Sequence, residues 1–227
     1  MKWLTQCLYC NHYVYRTKDN NLKCSSCKKK LSIQKVNKII FLLQCFLDNK
    51  SALESSKLLD ISYISAKNYY QDFRIIATNI SEYNYTQLHD KNVEYEEYFY
   101  IEKSKKKRLN AIFEAHNFLT FDYDGYIYTI LMPSLLKYKN QFIEDGVDGA
   151  YIEEFKRFKR TFKIIKISKQ YNTIIKFWDY FEKNIVIYKG ISNELFAYYL
   201  KEFEFKFNYT KEEAFEQLLH NYFKEET

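Results

Sequence analysis

Two pairs of cysteines near the start of the chain constrain its fold more than any other feature. Cys7 and Cys10 form one Cys-x-x-Cys pair, Cys24 and Cys27 form a second, and 13 residues separate the two pairs. Four thiolates on two tight turns can surround one ion tetrahedrally and leave no coordination position open, so the spacing predicts a structural zinc site. The alternatives are a redox-active pair or two unrelated pairs.

The metal would hold together a segment of about 30 residues, which is too short to build a hydrophobic core of its own. Residues 12–16 alternate as a strand does, and we expect them to form a hairpin with the chain around Leu22. These features predict a zinc ribbon over residues 1–33. The fifth cysteine, Cys45, lies on an apolar helix face, where a thiol usually packs as a small hydrophobic group, so no chemistry is assigned to it.

The composition of the chain excludes several classes of protein. Of the 227 residues, 47% are hydrophobic and 28% are charged, which is enough apolar material for a sizeable core. Only four glycines and one proline occur, and no glycine-rich phosphate-binding loop is present. The apolar runs of the chain, such as residues 39–43, are far shorter than the ~20 residues that cross a bilayer, so we expect no membrane partner. Because the N-terminus lacks the pattern of a signal peptide, we expect a cytoplasmic location.

Positive charge is concentrated in the first third of the chain. Residues 1–80 contain 13 Lys and Arg against five Asp and Glu, a net charge of +8, whereas the remainder contains 22 against 24, a net charge of −2. A basic segment joined to a nearly neutral one is typical of a nucleic-acid-binding module attached to a domain with another role.

The basic segment continues after the ribbon with the pattern of a helix-turn-helix. Residues 34–48 have helical apolar spacing, Ser51 and Glu54 form a capping box, and a further helix follows from Tyr63. These lengths predict a helix-turn-helix domain over residues 34–80 that binds double-stranded DNA, with an ordinary helical bundle as the alternative. The residues of the third helix that are expected to face DNA are Tyr63, Lys67, Asn68, Gln71 and Arg74.

From about residue 91 the sequence predicts strands before helices. Strand-like runs occupy residues 93–101, 111–119 and 126–132, and helical segments follow at residues 135–143 and 174–181. A meander followed by helices predicts an α+β or α/β domain over residues 91–227, in the order of a ribonuclease-H-like fold. The predicted fold class is therefore multidomain α+β, with an N-terminal zinc ribbon and helix-turn-helix followed by a ribonuclease-H-like α/β domain.

With this order of modules, the chain resembles the zinc-ribbon DDE transposases of bacterial insertion sequences. Residues 93–99 are similar to the strand that carries the first catalytic Asp of that family, and residues 171–178 are similar to its Asn-x-Ile-acid-x-Phe-Trp helix. Residues 199–208 match a tail that ends in Glu-Phe-Arg-Phe-Asn, and the turn at Gly190 also fits. The resemblance covers nearly the whole chain, and the ribbon and the tail are its most specific parts.

The resemblance implies that the protein binds the ends of a mobile element, as a homo-oligomer on DNA, and cuts and joins them with Mg²⁺ or Mn²⁺ held by carboxylates. The first acid corresponds to Glu96, one methylene longer than Asp, and the second to Asp145 or Asp148. Ile175 occupies the position of the third acid and supplies no ligand. We therefore expect catalysis to be weak or absent, with Glu96 and Asp148 or Asp145 carrying whatever activity occurs.

Two other functions stay open at the level of sequence. One is a non-enzymatic, zinc-dependent DNA-binding protein or regulator derived from a transposase. The other is a zinc-stabilised module for protein interaction. Metal-dependent cleavage of DNA distinguishes a transposase from the non-enzymatic DNA-binding protein. Salt-sensitive binding to DNA distinguishes both of these from the protein-interaction module.

Overall fold

Two three-stranded antiparallel sheets and six α-helices make up the part of the chain that the computed structural model describes, which is residues 5–88, 93–102, 105, 111–134 and 172–225. The structure is thus mixed α and β. Among these residues, no helix combines the length and the apolar character that a membrane span requires.

The first sheet is a hairpin extended by one strand. Strands β1 (Val14–Arg16), β2 (Asn21–Cys24) and β3 (Lys30–Ser32) pair in that order, with Val14 opposite Cys24 and Leu22 opposite Leu31. This is the hairpin that the alternation of residues 12–16 predicts. Val14, Leu22 and Leu31, one from each strand, are buried in the same hydrophobic cluster as the helices that follow.

Three helices follow the sheet: α1 (Ile33–Leu47), α2 (Ala52–Leu58) and α3 (Tyr63–Tyr85). Each begins after a serine whose hydroxyl accepts a hydrogen bond from the backbone N–H three residues later, over 3.3 Å at Ser32 and 3.1 Å at Ser51 and Ser62. Such caps satisfy N–H groups that the first turn of a helix leaves unpaired. Ser32 is also the last residue of β3, so the first sheet runs into α1 without a linker.

The second sheet is a meander of β4 (Val93–Tyr100), β5 (His116–Tyr123) and β6 (Tyr126–Leu131). The β5–β6 turn is Asp124-Gly125, and both residues have positive φ, as a tight hairpin requires. The strand predicted from residue 111 begins only at His116. Ala111–Glu114 forms a turn of 3₁₀ helix instead, and His116 pairs with the last residue of β4.

Helices α4 (Thr173–Ile185), α5 (Phe196–Asn208) and α6 (Lys211–Glu225) complete the fold. The helix predicted at residues 174–181 is α4, whereas the one predicted at residues 135–143 lies outside the described residues. Helix α4 packs on the second sheet: the Trp178 ring lies 4.7 Å from that of Tyr98, and its indole N–H donates to the Thr120 hydroxyl over 2.9 Å.

The apolar side chains form two clusters that do not follow the domain boundary expected at residue 91. One cluster contains the second sheet, α4 and the first half of α5. The other contains the first sheet, α1, α3 and residues from the end of the chain, namely Phe205, Ala214, Leu218, Leu219, Tyr222 and Phe223. The apolar face of helix α6 packs on α1 and α3, so this helix belongs to the same cluster as the N-terminal modules.

Helix α5 contacts both clusters through polar side chains that point in different directions. Toward the first cluster, the Glu202 carboxylate accepts hydrogen bonds from Arg74 over 2.7 Å and from Lys206 over 2.5 Å. Toward the second sheet, Asn208 makes two hydrogen bonds with the backbone of Ile127, over 2.8 and 2.6 Å. Glu204 accepts a hydrogen bond from the Thr129 N–H over 2.7 Å. The tail segment at residues 199–208 is therefore a buried connecting helix.

Candidate metal centre and candidate nucleic-acid interface

The four cysteines of the two predicted pairs converge at the edge of the first sheet. Their sulfur atoms all lie within 4.8 Å of one another, with 3.7 Å between Cys7 and Cys27 and 3.5 Å between Cys10 and Cys24. Four sulfurs placed tetrahedrally at ~2.3 Å from a zinc ion are separated by roughly 3.8 Å. The cysteines are thus positioned to hold one metal ion, and their geometry fits four-coordinate zinc.

Both cysteine pairs are folded in the same way. The N–H of the first cysteine in each pair donates to the carbonyl five residues later, from Cys7 to His12 over 2.7 Å and from Cys24 to Lys29 over 3.1 Å. The residue directly after each pair has a left-handed backbone, with φ of 59° at Asn11 and 61° at Lys28. Asparagine tolerates this conformation better than most residues. Two matching turns therefore bring the sulfurs together from opposite sides.

The electrostatic environment differs among the sulfurs. Burial raises the pKa of Cys7 to about 12 and also raises that of Cys27. A hydrogen bond from the His12 backbone lowers the pKa of Cys10 to about 6. A divalent cation at the centre favours the thiolate form of every ligand, so it would lower these pKa values together.

Helix α3 presents most of the residues that the sequence predicted would face DNA. Tyr63 is 49% exposed, Lys67 and Asn68 are exposed, and Gln71 is half-buried. All four lie in the first three turns of the helix. The opposite side of these turns is buried in the first cluster, with Ala66, Tyr70 and Phe73 fully covered.

Arg74 is the exception, and its assignment to the DNA-facing surface is wrong. Its side chain is 3% exposed, its Nε donates to Glu202 over 2.7 Å, and its guanidinium lies 3.9 Å from the centre of the Tyr199 ring. The carboxylate partner offsets the cost of burying the charge. Because Glu202 is distant in sequence, the local pattern of α3 gives no sign of this ion pair.

The acids that the resemblance implies are only partly within the described residues. Asp145 and Asp148 lie outside them. Glu96 lies on β4 opposite Thr120, and its Oε1 accepts a long hydrogen bond of 3.5 Å from the Asn172 side chain. Its Oε2 is buried and has no hydrogen-bond partner among the described residues, and burial raises the pKa of this carboxyl.

Asn172 and Ile175 define the start of α4 beside Glu96. The Asn172 side chain accepts a hydrogen bond from the Ile175 N–H over 3.0 Å and so caps the helix. The Ile175 side chain is fully buried in the second cluster. Sequence reasoning gave Asn172 no role, although an asparagine directly before a helical pattern is a recognised capping signal.

No protein-family model matches the chain, and neither a curated protein nor a solved structure matches it. The resemblance to zinc-ribbon DDE transposases therefore rests on residues of this sequence alone. Its two most specific parts, the cysteine pairs and the tail, both contribute to the first cluster, in which Cys7 and Phe205 are buried.

Proposed function

We propose that the protein binds double-stranded DNA through α2 and α3, with the zinc ribbon as a rigid support, on the plan of a zinc-ribbon DDE transposase. The support for DNA binding is the surface of α3. Its first three turns are anchored on one side by buried aromatic residues and expose Tyr63, Lys67 and Asn68 on the other. A helix held in this way after a short turn is suited to the major groove. The +8 charge of residues 1–80 favours a polyanionic partner.

The ion that we propose for the four cysteines is zinc, which all four would bind as thiolates in a reducing cytoplasm. Zinc would fix the two cysteine turns of the first sheet, and the sheet continues directly into α1 at Ser32. The role of the ion is therefore structural, because it would orient the basic ribbon relative to the helices that contact DNA. With four sulfur ligands, it has no position left for a substrate.

Metal-dependent cutting and joining of DNA is a second candidate function. It is favoured by the buried Oε2 of Glu96, which lies beside Asn172 and has no hydrogen-bond partner among the described residues. A hard cation such as Mg²⁺ or Mn²⁺ takes carboxylate oxygens, and Asp145 or Asp148 would have to supply the others. Glutamate is one methylene longer than aspartate, which displaces the carboxylate oxygens, and Ile175 supplies no ligand. We therefore expect weak or absent activity, with misplacement of the oxygens alone lowering the rate on the order of 10²-fold.

DNA binding is tested with the full zinc-loaded chain by fluorescence anisotropy on duplex DNA over a range of salt concentrations. We expect log K to fall linearly with log[salt], and Lys67→Ala to reduce the slope by about 1 because one phosphate contact is lost. Lys183→Ala, which removes an exposed lysine from α4, is the matched control and should leave the slope unchanged. Binding that does not depend on salt, or equal slopes in the two variants, would contradict the proposal.

Cleavage is tested on duplexes taken from the DNA on either side of the gene, in Mg²⁺ and in Mn²⁺. If the weak activity exists, Glu96→Gln should abolish it, whereas Glu97→Gln, which alters an exposed neighbour on the other face of β4, should retain it. Strand transfer that survives Glu96→Gln would rule out the acid site. Robust strand transfer by the wild type would rule out the expected loss of activity.

A further inference from the structure

One side of α3 carries a regular stripe of four residues, of which Gln71 is half-buried and the other three are exposed. Ile64, Asn68, Gln71 and Ile75 recur at intervals of four, three and four residues, which places them along a single face of the helix. Ile64 is 69% exposed and Ile75 is 37% exposed. We call these four residues the α3 stripe.

The rotation of the α3 stripe toward solvent is fixed by the opposite face of the helix. That face is fully buried in the first cluster through Ala66, Tyr70, Phe73 and Ala77. Tyr70 is further held by hydrogen bonds of 2.7 Å with the Ser55 hydroxyl of α2 and 3.0 Å to the Lys50 carbonyl. The stripe therefore stands outward on a rigid support, as a surface that reads a groove must do.

The chemistry of the stripe matches one type of base pair. Asparagine and glutamine form paired hydrogen bonds with N6 and N7 of adenine, and apolar side chains contact the C5-methyl group of thymine. Guanine is read mainly by arginine or lysine. None of the four stripe residues is basic, and the one arginine of α3, Arg74, is held by Glu202.

We propose that the α3 stripe reads A·T base pairs in the major groove, so that the protein selects A·T-rich sites. Asn68 and Gln71 would contact adenines, and Ile64 and Ile75 would contact thymine methyl groups. This inference rests on the proposed DNA-binding function and adds its sequence preference. The occupant is duplex DNA because the stripe belongs to the segment with a net charge of +8.

The charges beside the stripe indicate how the helix would lie. Lys67 adjoins the stripe on one side, three residues from Ile64 and four from Gln71, whereas Asp72 adjoins it on the other, four residues from Asn68. Both are exposed. The phosphate strand nearer the helix would therefore lie along the Lys67 side, and the Asp72 side would lie away from that strand.

The experiment begins with selection of duplexes from a random-sequence library by the full zinc-loaded protein. We expect enrichment of several consecutive A·T pairs. In the enriched duplex, replacing one contacted thymine by uracil removes a methyl group and should weaken binding about four-fold. Replacing one contacted adenine by 7-deazaadenine removes the N7 acceptor and should weaken it about ten-fold.

Variants connect these losses to individual side chains. Ile64→Ala should bind the thymine and uracil duplexes equally at one position, and Asn68→Ala should bind the adenine and 7-deazaadenine duplexes equally at another. Ile130→Ala is the matched control, because Ile130 is an isoleucine of β6 that is 38% exposed. It should respond to both base analogues as the wild type does.

The outcomes separate this inference from the function on which it rests. Salt-dependent binding to duplexes without A·T enrichment, or with equal affinity for thymine and uracil at every position, would overturn the A·T assignment and leave DNA binding intact. Absence of any duplex binding would overturn both. A dimer in sedimentation that Ile64→Ala dissociates would show that the stripe is covered by a second copy of the chain, and would also overturn the assignment.

Discussion

Glu202 is a fully buried carboxylate that accepts hydrogen bonds from two buried cations, and its replacement by glutamine tests how much these charges stabilise the packing of α5 on the first cluster. The substitution keeps the shape of the side chain but leaves Arg74 and Lys206 without their shared counter-charge. Removing one partner of a buried ion pair costs about 3–5 kcal/mol. The lower end applies here, because Arg74 keeps its contact with the Tyr199 ring and Lys206 keeps a hydrogen bond of 2.6 Å to the Phe46 carbonyl.

Thermal unfolding followed by circular dichroism measures this loss. A cost of about 3 kcal/mol corresponds to a fall in Tm of about 6–12 °C for a protein of this size. Glu194→Gln, which changes an exposed acid just before α5, is the control and should alter stability by no more than about 0.5 kcal/mol. Equal Tm values for the two variants would refute the role of Glu202.

The pH dependence of the same difference tests its electrostatic origin. Burial alone would raise the pKa of Glu202, but Lys206 and Arg74 hold it below its usual value. A carboxyl with a lowered pKa in the folded state contributes stability above its unfolded pKa, about 4.3, and loses it as the pH falls through the folded value. The gap between the wild type and Glu202→Gln should therefore be full at pH 7 and shrink below about pH 4. A gap that stays constant at low pH would contradict this account.

Three further predictions concern other buried groups. Atomic emission of reduced, freshly purified protein should detect one zinc per chain in the wild type and in Cys45→Ala, but none in Cys24→Ser. Zinc in both variants would be inconsistent with the site. Burial lowers the pKa of His116 to about 4. As the pH falls, the unfolded state therefore takes up a proton before the folded state does. Urea unfolding should show about 2–3 kcal/mol less stability at pH 4.5 than at pH 7. His116→Phe should remove most of this loss, and an equal loss in that variant would contradict the assignment. Thr120→Val should cost about 1–3 kcal/mol in urea unfolding because the Trp178 indole N–H loses its buried acceptor; unchanged stability would argue against that hydrogen bond.

Features set by neighbouring residues could be predicted from the sequence. The cysteine spacing predicted the four-sulfur cluster, and Ser51 with Glu54 predicted the start of α2, because each of these depends on a few adjacent backbone turns. The apolar period likewise predicted α1 and α4. Exposure of Tyr63 and Lys67 followed from the same helical spacing.

Features set by distant residues could not be predicted in this way. The helical period placed Arg74 near Lys67, and only contact with Glu202 of α5 shows that the arginine is buried. A domain boundary was predicted at residue 91 because the sequence pattern changes there to that of strands. The apolar face of α6 nevertheless packs on α1 and α3, across that boundary. Nothing in either segment identifies its partner, since many apolar faces and acids in the chain would match equally well.

The contribution of α5 and α6 to the first cluster has a consequence for inheritance. A premature stop codon after residue 195 would spare every cysteine and every exposed residue of α3, yet it would remove the Tyr222 ring that packs on Phe73 and the Tyr199 ring and Glu202 carboxylate that cover Arg74. Such a gene would encode every outward-facing residue of α3 on a helix whose buried side has lost part of its cover. Recombination that carried residues 1–80 to a new partner gene would meet the same obstacle. Substitutions in residues 14–85 and in residues 196–225 are therefore expected to evolve together.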